Sequence, residues 1–348
     1  MITTWAVVLA GGVGSRFWPL STPERPKQLL PLATDTPLLS DALTRLTPMV
    51  PAERTLILTN ATLVAPIREL APAIPAENVI AEPRPAGTAA ALAWAACEVA
   101  RRGGADAVMI SIHADWAVGD PDGFRDALAQ AVAAAQKHSG LVTVGIVPSR
   151  ADPGFGYIEP GKELGSGVRR VRRFVEKPSV ERAQEMWAEG YLWNSGIFVW
   201  RAGDFLAEVR AHTPEIAGAL AEVERGASSM EQFFATVKPV SVDVGVLERS
   251  SHVLVIPGDF GWDDIGTWGA LRRVRHADEC GNASSGDVHA LDASGNVVHT
   301  EGNSVVLYGV HDLVVVARDG LVLVTTVERS ADLKTLLDSL PAGLRDRK

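Results

Sequence analysis

Short apolar runs alternate with amphipathic segments through the first half of the chain. Each run is apolar on both faces and predicts a buried parallel strand, and the segments between the runs carry helix-start and helix-stop residues. The predicted strands are Val7–Leu9, Arg54–Thr59, Val79–Ala81, Asp106–Ile112 and Leu141–Val147. Three helices are predicted between these strands. The first begins at Thr36-Pro37, the second is alanine-rich and ends at Arg102, and the third covers Asp122–Lys137 and is capped by Asp120. This order predicts an α/β fold: a Rossmann-like mixed, mostly parallel sheet flanked by helices.

The pattern becomes less regular after residue 148. A glycine-rich turn that leads into a strand is predicted at Gly154–Ile158, and strands are predicted at Arg169–Val175, Ile197–Trp200 and Val253–Ile256. Helices are predicted at Ser179–Gly190, from Thr213-Pro214, and from a capping box at Ser228-x-x-Glu231.

Beyond residue 282 the apolar runs become short and are broken at Ser294-Gly295, Gly309 and Asp319-Gly320. That rhythm predicts a small β-rich, β-helix-like module, closed by a helix from Ser330 to Leu340. We therefore expect two domains, a catalytic domain over residues 1–280 and the β-rich module over residues 281–348.

Composition narrows the class of partner. A net charge of −9 argues against a nucleic-acid partner, which needs a basic face. No charged segment followed by an apolar stretch opens the chain, and no apolar run reaches the ~18 residues of a membrane span. The two cysteines, Cys97 and Cys280, give no disulfide framework. We expect a cytoplasmic protein that does not bind membranes.

A glycine-rich loop follows the first predicted strand. It is not a dinucleotide fingerprint, because Phe17 stands where a third glycine is needed, and it lacks the Gly-Lys-[Ser/Thr] of a Walker A loop. It offers three glycines, then Arg16, then Lys27. Backbone amides at the carboxyl end of a parallel strand, together with two cations, predict a site for a polyphosphate.

Two aspartates stand in predicted loops. Asp115 follows a strand, and Asp264 lies between glycines and tryptophans. Either one alone is an ordinary turn or helix-cap residue. Together with a phosphate loop they suit Mg²⁺, which takes one or two carboxylates and leaves its other positions to water and phosphate oxygens. Zinc at His113 is disfavoured, since no second His or Cys stands at ligand spacing.

Two later residues have both a functional and an ordinary interpretation. Lys177 precedes Pro178 at a predicted strand end and is either a phosphate ligand or a solvated lysine. The arginines at 169, 170, 172 and 173 are interpreted as a solvated face. Asn194 is either a sugar ligand beside the aromatic ring of Trp193 or a residue of a tight turn.

These motifs resemble those of the sugar-nucleotide pyrophosphorylases, a nucleotidyltransferase family. The opening signature Leu-Ala-Gly-Gly-x-Gly-x-Arg-x-Trp-Pro-Leu and Pro-Lys-Gln is met between Leu9 and Gln28. Phe-Val-Glu-Lys-Pro stands at 174–178, Trp-Asn-Ser-Gly at 193–196, Ser-Val-Asp at 241–243 and Gly-Trp-x-Asp-x-Gly-x-Trp at 261–268. Trp18 and the last motifs resemble the mannose branch of the family, whose substrates are GTP and mannose 1-phosphate.

The resemblance implies a role for each matching residue. Arg16 and Lys27 hold the triphosphate, Asp115 and Asp264 hold Mg²⁺, and Lys177 holds the sugar phosphate. The nucleotide is expected on Leu9, Ala10, Gly11, Gly12, Gly14, Glu82, Gly87 and Thr88, with Glu82 and Thr88 near the guanine and ribose. The sugar is expected on Gly156, Glu176, Asn194 and Asp243.

The chain departs from the family pattern twice. Ala86-Gly87-Thr88 replaces Arg-Asn-Thr, which bears on nucleobase recognition, and His113-Ala114-Asp115-Trp116 replaces Pro-x-Asp-His, which removes a histidine after the metal aspartate.

The implied reaction converts GTP and α-D-mannose 1-phosphate into GDP-mannose and diphosphate. The length fits the form without an appended isomerase domain, and the β-rich tail is expected to form a homodimer. Two alternatives stay open: an enzyme using glucose 1-phosphate with UTP or dTTP, and a non-catalytic regulatory homologue. A nicotinamide-dependent oxidoreductase is disfavoured by Phe17.

Overall fold

A computed structural model describes residues 3–12 and 14–345 of the chain. Its main feature is a nine-stranded sheet, whose strands follow one another in the order β3 (Val79–Glu82), β2 (Thr55–Asn60), β1 (Thr4–Leu9), β4 (Val108–His113), β9 (Leu192–Arg201), β6 (Leu141–Ile146), β10 (Val253–Gly258), β8 (Val168–Val175) and β7 (Tyr157–Gly165). The pairings of β1 with β2 and β4, of β2 with β3, and of β6 with β10 are parallel. The pairings of β9 with β4, β6 and β7, and of β8 with β7 and β10, are antiparallel. Only β8 and β9 therefore run against the other strands, which confirms the mixed, mostly parallel sheet.

The strands have the following bounds: β1 Thr4–Leu9, β2 Thr55–Asn60, β3 Val79–Glu82, β4 Val108–His113, β5 Ala117–Val118, β6 Leu141–Ile146, β7 Tyr157–Gly165, β8 Val168–Val175, β9 Leu192–Arg201, β10 Val253–Gly258, β11 Trp262–Asp263, β12 Ala283–Leu291, β13 Val297–Tyr308, β14 Leu313–Arg318 and β15 Leu321–Thr326. The first five predicted strands all form. Four of them, β1, β2, β4 and β6, are buried on both faces of the sheet, whereas only Val79 is buried in the edge strand β3.

The helices have the following bounds: α1 Leu38–Leu46, α2 Val64–Leu70, α3 Gly87–Gly103, α4 Pro121–His138, α5 Val180–Ala188, α6 Ala202–His212, α7 Pro214–Glu224, α8 Met230–Thr236, α9 Leu271–Val274, α10 Leu333–Ser339 and α11 Ala342–Arg345. Asp120 caps α4 as predicted, accepting hydrogen bonds from the backbone N–H groups of Asp122 and Gly123. No helix in the described part of the chain is both long and apolar enough to cross a bilayer.

Three local predictions were wrong. The strand predicted at Ile197–Trp200 already begins at Leu192, because Tyr157 and Ile158 of β7 pair with Trp193 and Leu192. The capping box belongs to Ser229 and Gln232, one residue later than predicted. The last helix is divided: a 3-10 turn covers Arg329–Asp332, and Asp332 then caps α10. Helices α2 and α6 had no counterpart in the prediction.

The chain divides into two compact units. The first unit, residues 3–11, 44–113 and 120–262, contains the nine-stranded sheet, whose core packs Trp5, Val7 and Leu56 against the alanine face of α3. The second unit, residues 12, 14–43, 114–119 and 263–345, contains a four-stranded sheet in the order β12-β13-β14-β15. The units are discontinuous in sequence, and the domain boundary near residue 280 stays a prediction.

The four-stranded sheet has the ladder of a β-helix. Strands β12, β13 and β14 pair in parallel, and β15 closes the sheet antiparallel to β14. Two buried asparagines stack between successive turns: Asn296 Nδ2 donates to Asn282 Oδ1 at 2.8 Å, and the backbone N–H of Leu313 donates to Asn296 Oδ1 at 2.9 Å. Because each amide satisfies a backbone or side-chain group of the next turn, the turns stay in register. The predicted β-helix-like module is confirmed.

Candidate active site

The glycine-rich loop of the second unit lies against Lys27. Gly14 has a φ of +65°, and a Cβ atom added there would stand 2.3 Å from Lys27 Cβ. Only glycine fits this conformation and this close approach. Gly14 O accepts hydrogen bonds from Phe17 N at 3.0 Å and from Ser21 Oγ at 2.8 Å, which closes the loop on itself.

Lys27 is buried, with 6 % of its surface exposed. Its ammonium donates to the backbone carbonyl of Asp264 at 2.6 Å and forms an ion pair with Asp115 Oδ2 at 3.2 Å. The ring of Phe17 lies below it, 5.8 Å from Nζ to the centroid. The structure thus brings together a cation and both predicted metal-binding aspartates.

The Asp264 carboxylate is half-buried and held by a local hydrogen bond. Oδ1 accepts a hydrogen bond from Gly266 N at 3.2 Å. Burial raises the pKa of Asp264, and the charges of Asp263 and Asp115 act in the same direction, while Lys27 and Arg16 oppose the shift. A partly desolvated carboxylate whose pKa is raised gains from an added cation.

Arg16 reaches the same place although its side chain is exposed. An added Cβ at Gly266 would stand 3.4 Å from Arg16 Nη1 and 2.9 Å from Asp264 Oδ2. Two cations and two carboxylates therefore converge within the second unit. Two aspartates supply part of the oxygen shell that Mg²⁺ prefers and leave the remaining positions to phosphate oxygens and water, so the donor set fits that metal.

The predicted nucleotide residues of the first unit fall into two groups. In the first group, the backbone of Ala10 is committed to the sheet, because its N–H donates to Leu58 O at 2.8 Å and its carbonyl accepts from Thr59 Oγ1 at 2.9 Å. Gly11 is exposed, and Glu82 Oε1 lies 3.9 Å from the position of a Cβ there. Burial raises the pKa of Glu82 to about 7.

The second group, Gly87 and Thr88, holds another segment of the first unit. Gly87 has a φ of +80°, and a Cβ there would meet Val240 O at 2.2 Å. Thr88 Oγ1 accepts a hydrogen bond from Val242 N at 2.9 Å. These residues therefore fix the segment that leads into Asp243.

The four predicted sugar residues, also in the first unit, form one cluster. Asn194 Nδ2 donates to Asp243 Oδ1 at 2.7 Å, and Asn194 N donates to Gly156 O at 2.8 Å. A Cβ at Gly156 would stand 2.5 Å from Glu176 Oε2, so glycine leaves room for that carboxylate. Lys177 is exposed, has a φ of +45°, and pairs with Glu176 at 3.5 Å.

Two features of this cluster differ from the sequence interpretation. Asn194 lies within β9 and not in a turn, so the ring of Trp193 points to the opposite face of the sheet and packs against Phe155 at a centroid distance of 4.8 Å. Glu248 was not identified from sequence. Partial burial and the carboxylates of Asp243 and Glu176 raise its pKa, and a π-helical turn, Asp243–Leu247, brings it back toward Asp243.

Comparison with known proteins now assigns the class. The model of the nucleotidyl transferase family matches residues 5–280. This chain belongs to that family and is a nucleotidyltransferase.

More particularly, the chain is similar to several bacterial proteins, among them proteins named mannose-1-phosphate guanylyltransferase. It is 35 % identical over 98 % of its length to the mannose-1-phosphate guanylyltransferase of Escherichia coli (strain K12), covering 74 % of that protein. It is 34 % identical over 97 % of its length to the xanthan biosynthesis protein XanB of Xanthomonas campestris, covering 73 % of it. A crystal structure described as a mannose-1-phosphate geranyltransferase from Thermus thermophilus superposes with a TM-score of 0.90 at 35 % identity, covering 97 % of this chain and 99 % of that one.

Proposed function

We propose that this nucleotidyltransferase is a mannose-1-phosphate guanylyltransferase, which converts GTP and α-D-mannose 1-phosphate into GDP-mannose and diphosphate. The observation that carries the proposal is the convergence of Lys27, Arg16, Asp115 and Asp264, in a chain 35 % identical to a guanylyltransferase over 98 % of its length.

The reaction depends more on neutralising the negative charges of the phosphate groups than on proton transfer. A phosphate monoester loses its second proton near pH ~6, so the attacking oxygen of the sugar phosphate is already ionised at neutral pH. The obstacle is repulsion between two anions, roughly 4 kcal/mol for unit charges ~4 Å apart at an effective dielectric constant of 20. Lys27 and Arg16 offset this repulsion and stabilise the charge that grows on the departing diphosphate.

Asp115 and Asp264 are the residues that would hold Mg²⁺. When bound, the metal neutralises charge on the phosphate oxygens and helps to align them. The buried ammonium of Lys27 keeps both aspartates in place by contacting the carbonyl of one and the carboxylate of the other. It therefore has two roles, as an organiser of the acidic pair and as a cation for the triphosphate.

The sugar cluster supplies acceptors and one cation. Asn194 and Asp243 are held together by their 2.7 Å hydrogen bond, and with Glu176 they offer oxygens to the hydroxyl groups of a hexose. Lys177 takes the phosphate of the sugar. It stands two residues after the end of β8 with a φ of +45°, and its side chain is exposed.

Replacement of Lys177 by alanine is expected to raise KM for mannose 1-phosphate about tenfold or more, because one charge-assisted contact to phosphate is lost. KM for GTP should stay within about twofold. Steady-state kinetics with each substrate varied in turn measures both constants. Lys162, in the neighbouring hairpin strand β7, offers the matched control Lys162→Ala, which should change neither constant. A change confined to KM for GTP would mean that Lys177 serves the nucleotide.

Glu82 predicts a pH dependence of nucleotide binding. An ionised carboxylate can accept from both N1–H and the amino group of guanine, whereas a protonated one cannot. Since burial raises the pKa of Glu82 to about 7, the carboxyl group is largely protonated one unit below that pH and ionised one unit above it. KM for GTP should therefore rise as the pH falls through 7.

The control for this prediction is Glu82→Gln, which should flatten the pH profile and weaken discrimination between GTP and ATP. The phosphates of both substrates also titrate below neutral pH. Only the difference between the two profiles reports on Glu82, and identical profiles would contradict its role.

The proposed substrates are tested with a panel of GTP, UTP, dTTP and ATP against mannose 1-phosphate and glucose 1-phosphate, scored by diphosphate release and product mass. The highest kcat/KM is expected for GTP with mannose 1-phosphate. Preference for glucose 1-phosphate with UTP or dTTP would replace this proposal with that alternative. No turnover with any pair would favour the regulatory homologue.

We further propose that the enzyme works in the cytoplasm as a homodimer. The dimer proposal is supported by exposed apolar side chains on the four-stranded sheet, namely Leu291, Val306, Tyr308, Val322 and Val324. A monomer in sedimentation at assay concentration would contradict it.

A further inference from the structure

The segment between Gly14 and Leu32 carries both Arg16 and Lys27, and two arginines from the C-terminal part of the second unit hold its backbone. Arg318, at the end of β14, donates from Nη1 to Leu20 O at 3.1 Å. Arg275 donates from Nε to Leu32 O at 2.6 Å. Both guanidinium groups therefore satisfy carbonyls of a segment that forms no strand of its own.

The second tryptophan of the Gly-Trp-x-Asp-x-Gly-x-Trp motif, Trp268, adds a further contact. Trp268 Nε1 donates to Trp18 O at 3.1 Å, and its ring lies 5.2 Å from the ring of Phe17. Trp268 is fully buried. The start of the segment is thereby packed as tightly as a protein core.

Two residues before Lys27, the segment carries a two-pronged ion pair. Arg25 Nη1 donates to Glu301 Oε2 at 2.9 Å, and Arg25 Nη2 donates to Glu301 Oε1 at 2.8 Å. Glu301 also lies 3.5 Å from Arg318 Nε, so one carboxylate joins Arg25 of the segment to Arg318, which contacts the segment. The contacts of Glu301 with His299 and Arg25 keep its pKa well below its usual range, and the group is ionised at neutral pH.

The pair is joined to Lys27 by a stiff connection. The intervening residue is Pro26, which is buried and whose φ of −72° is restricted by its ring. Lys27 follows at the start of a 3-10 turn, Lys27–Leu29. Because the backbone between the two residues is restricted, a displacement of Arg25 also displaces Lys27.

We propose that Glu301 is a positioning residue for nucleotidyl transfer: through its two-pronged pair with Arg25 it sets the place of the Lys27 ammonium between Asp115 and Asp264. This inference rests on the proposed function, because it assigns Lys27 to the triphosphate. It gives the β-helix part of the chain a role in nucleotide binding and turnover beyond subunit contact.

The test compares Glu301→Gln with a matched control, Asp204→Asn. Arg201 and Asp204 form an ion pair of similar exposure, with Arg201 Nε donating to Asp204 Oδ2 at 2.7 Å and Nη2 to Oδ1 at 3.3 Å, at the junction of β9 and α6. Both variants exchange a carboxylate for an amide of the same shape. If the Arg25–Glu301 pair had only a structural role, Glu301→Gln and Asp204→Asn would have the same effect on the kinetic constants.

For Glu301→Gln we expect kcat/KM for GTP to fall by about ten- to a hundredfold, because small misplacements of a catalytic cation are costly. KM for the sugar phosphate should change by less than about twofold, and Asp204→Asn should change none of these constants. Arg25→Gln and the double variant should show the same loss as Glu301→Gln, because removing either partner already abolishes the ion pair and removing both adds no further effect. Equal kinetics for Glu301→Gln and Asp204→Asn would overturn the proposal.

Affinity for GTP, measured by calorimetry on the same proteins, separates this inference from the proposed function. If the wild type binds GTP but makes no sugar nucleotide, the proposed function fails, and weaker GTP binding by Glu301→Gln alone would still support the positioning role. Arg25→Gln supplies the same comparison if Glu301→Gln does not fold. A wild type that does not bind GTP would overturn both.

Discussion

The Asp264→Asn enzyme is expected to turn over at least ~100-fold more slowly than the wild type at saturating substrates and Mg²⁺, the scale on which electrostatic groups at a transition state act. Asparagine keeps the shape and can keep the 3.2 Å hydrogen bond from Gly266 N, so the loop should persist. The substitution removes a negative charge whose pKa is raised by burial, and with it one of the two carboxylates proposed to hold the metal.

Two measurements accompany that rate. The Mg²⁺ concentration for half-maximal activity should rise, because a two-carboxylate site keeps only one anionic ligand. Asp259→Asn removes the same charge from an exposed side chain that precedes the site by five positions, and it should leave the rate unchanged. A near-normal kcat for Asp264→Asn with an ordinary Mg²⁺ requirement would refute the metal assignment.

The second large effect is expected for Lys27→Met, with kcat again at least ~100-fold lower. Methionine fills a buried site of similar length but takes away the 2.6 Å bond to Asp264 O and the 3.2 Å ion pair with Asp115. The pKa of Asp264 should rise further, because Lys27 is the largest opposing influence on it. The variant therefore loses a triphosphate cation and weakens the acidic pair together.

Lys334→Met is the control for lysine loss, since it removes an exposed ion pair with Asp338 in α10. Exposed pairs of this kind contribute little to protein stability. Single-turnover experiments distinguish binding from chemistry for Lys27→Met. If the rate of the chemical step were normal and only GTP affinity fell, Lys27 would be a binding residue without a part in the transition state.

The local signals of the sequence predict much of this arrangement. Three glycines after an apolar run predict a loop at a strand end, and β1 and β4 pair in parallel with Leu9 opposite His113. The loops that follow both strands must then begin side by side, which is why an aspartate two residues after His113 and a lysine in the first loop could be assigned to related chemistry.

Other parts depend on contacts that no local pattern contains. Asn194 lies within β9 because that strand pairs with β7 and with β6, where Asn194 lies opposite Gly145. Glu248 approaches Asp243 through a π-helical turn. Arg25 and Glu301 are separated by 276 positions and lie among many other charged residues. Their pairing depends on tertiary contact between the segment of Arg25 and β13, so the sequence predicts only a role in dimerisation for this tail.

The central claim is that the phosphate of mannose 1-phosphate attacks the α-phosphorus of GTP. The most direct measurement uses mannose 1-phosphate labelled with a heavy oxygen isotope in its phosphate group. The masses of both products are then determined by mass spectrometry. Attack at the α-phosphorus predicts that all of the label remains in GDP-mannose and that the diphosphate is unlabelled. Label in the diphosphate, or a labelled product other than GDP-mannose, would contradict the account.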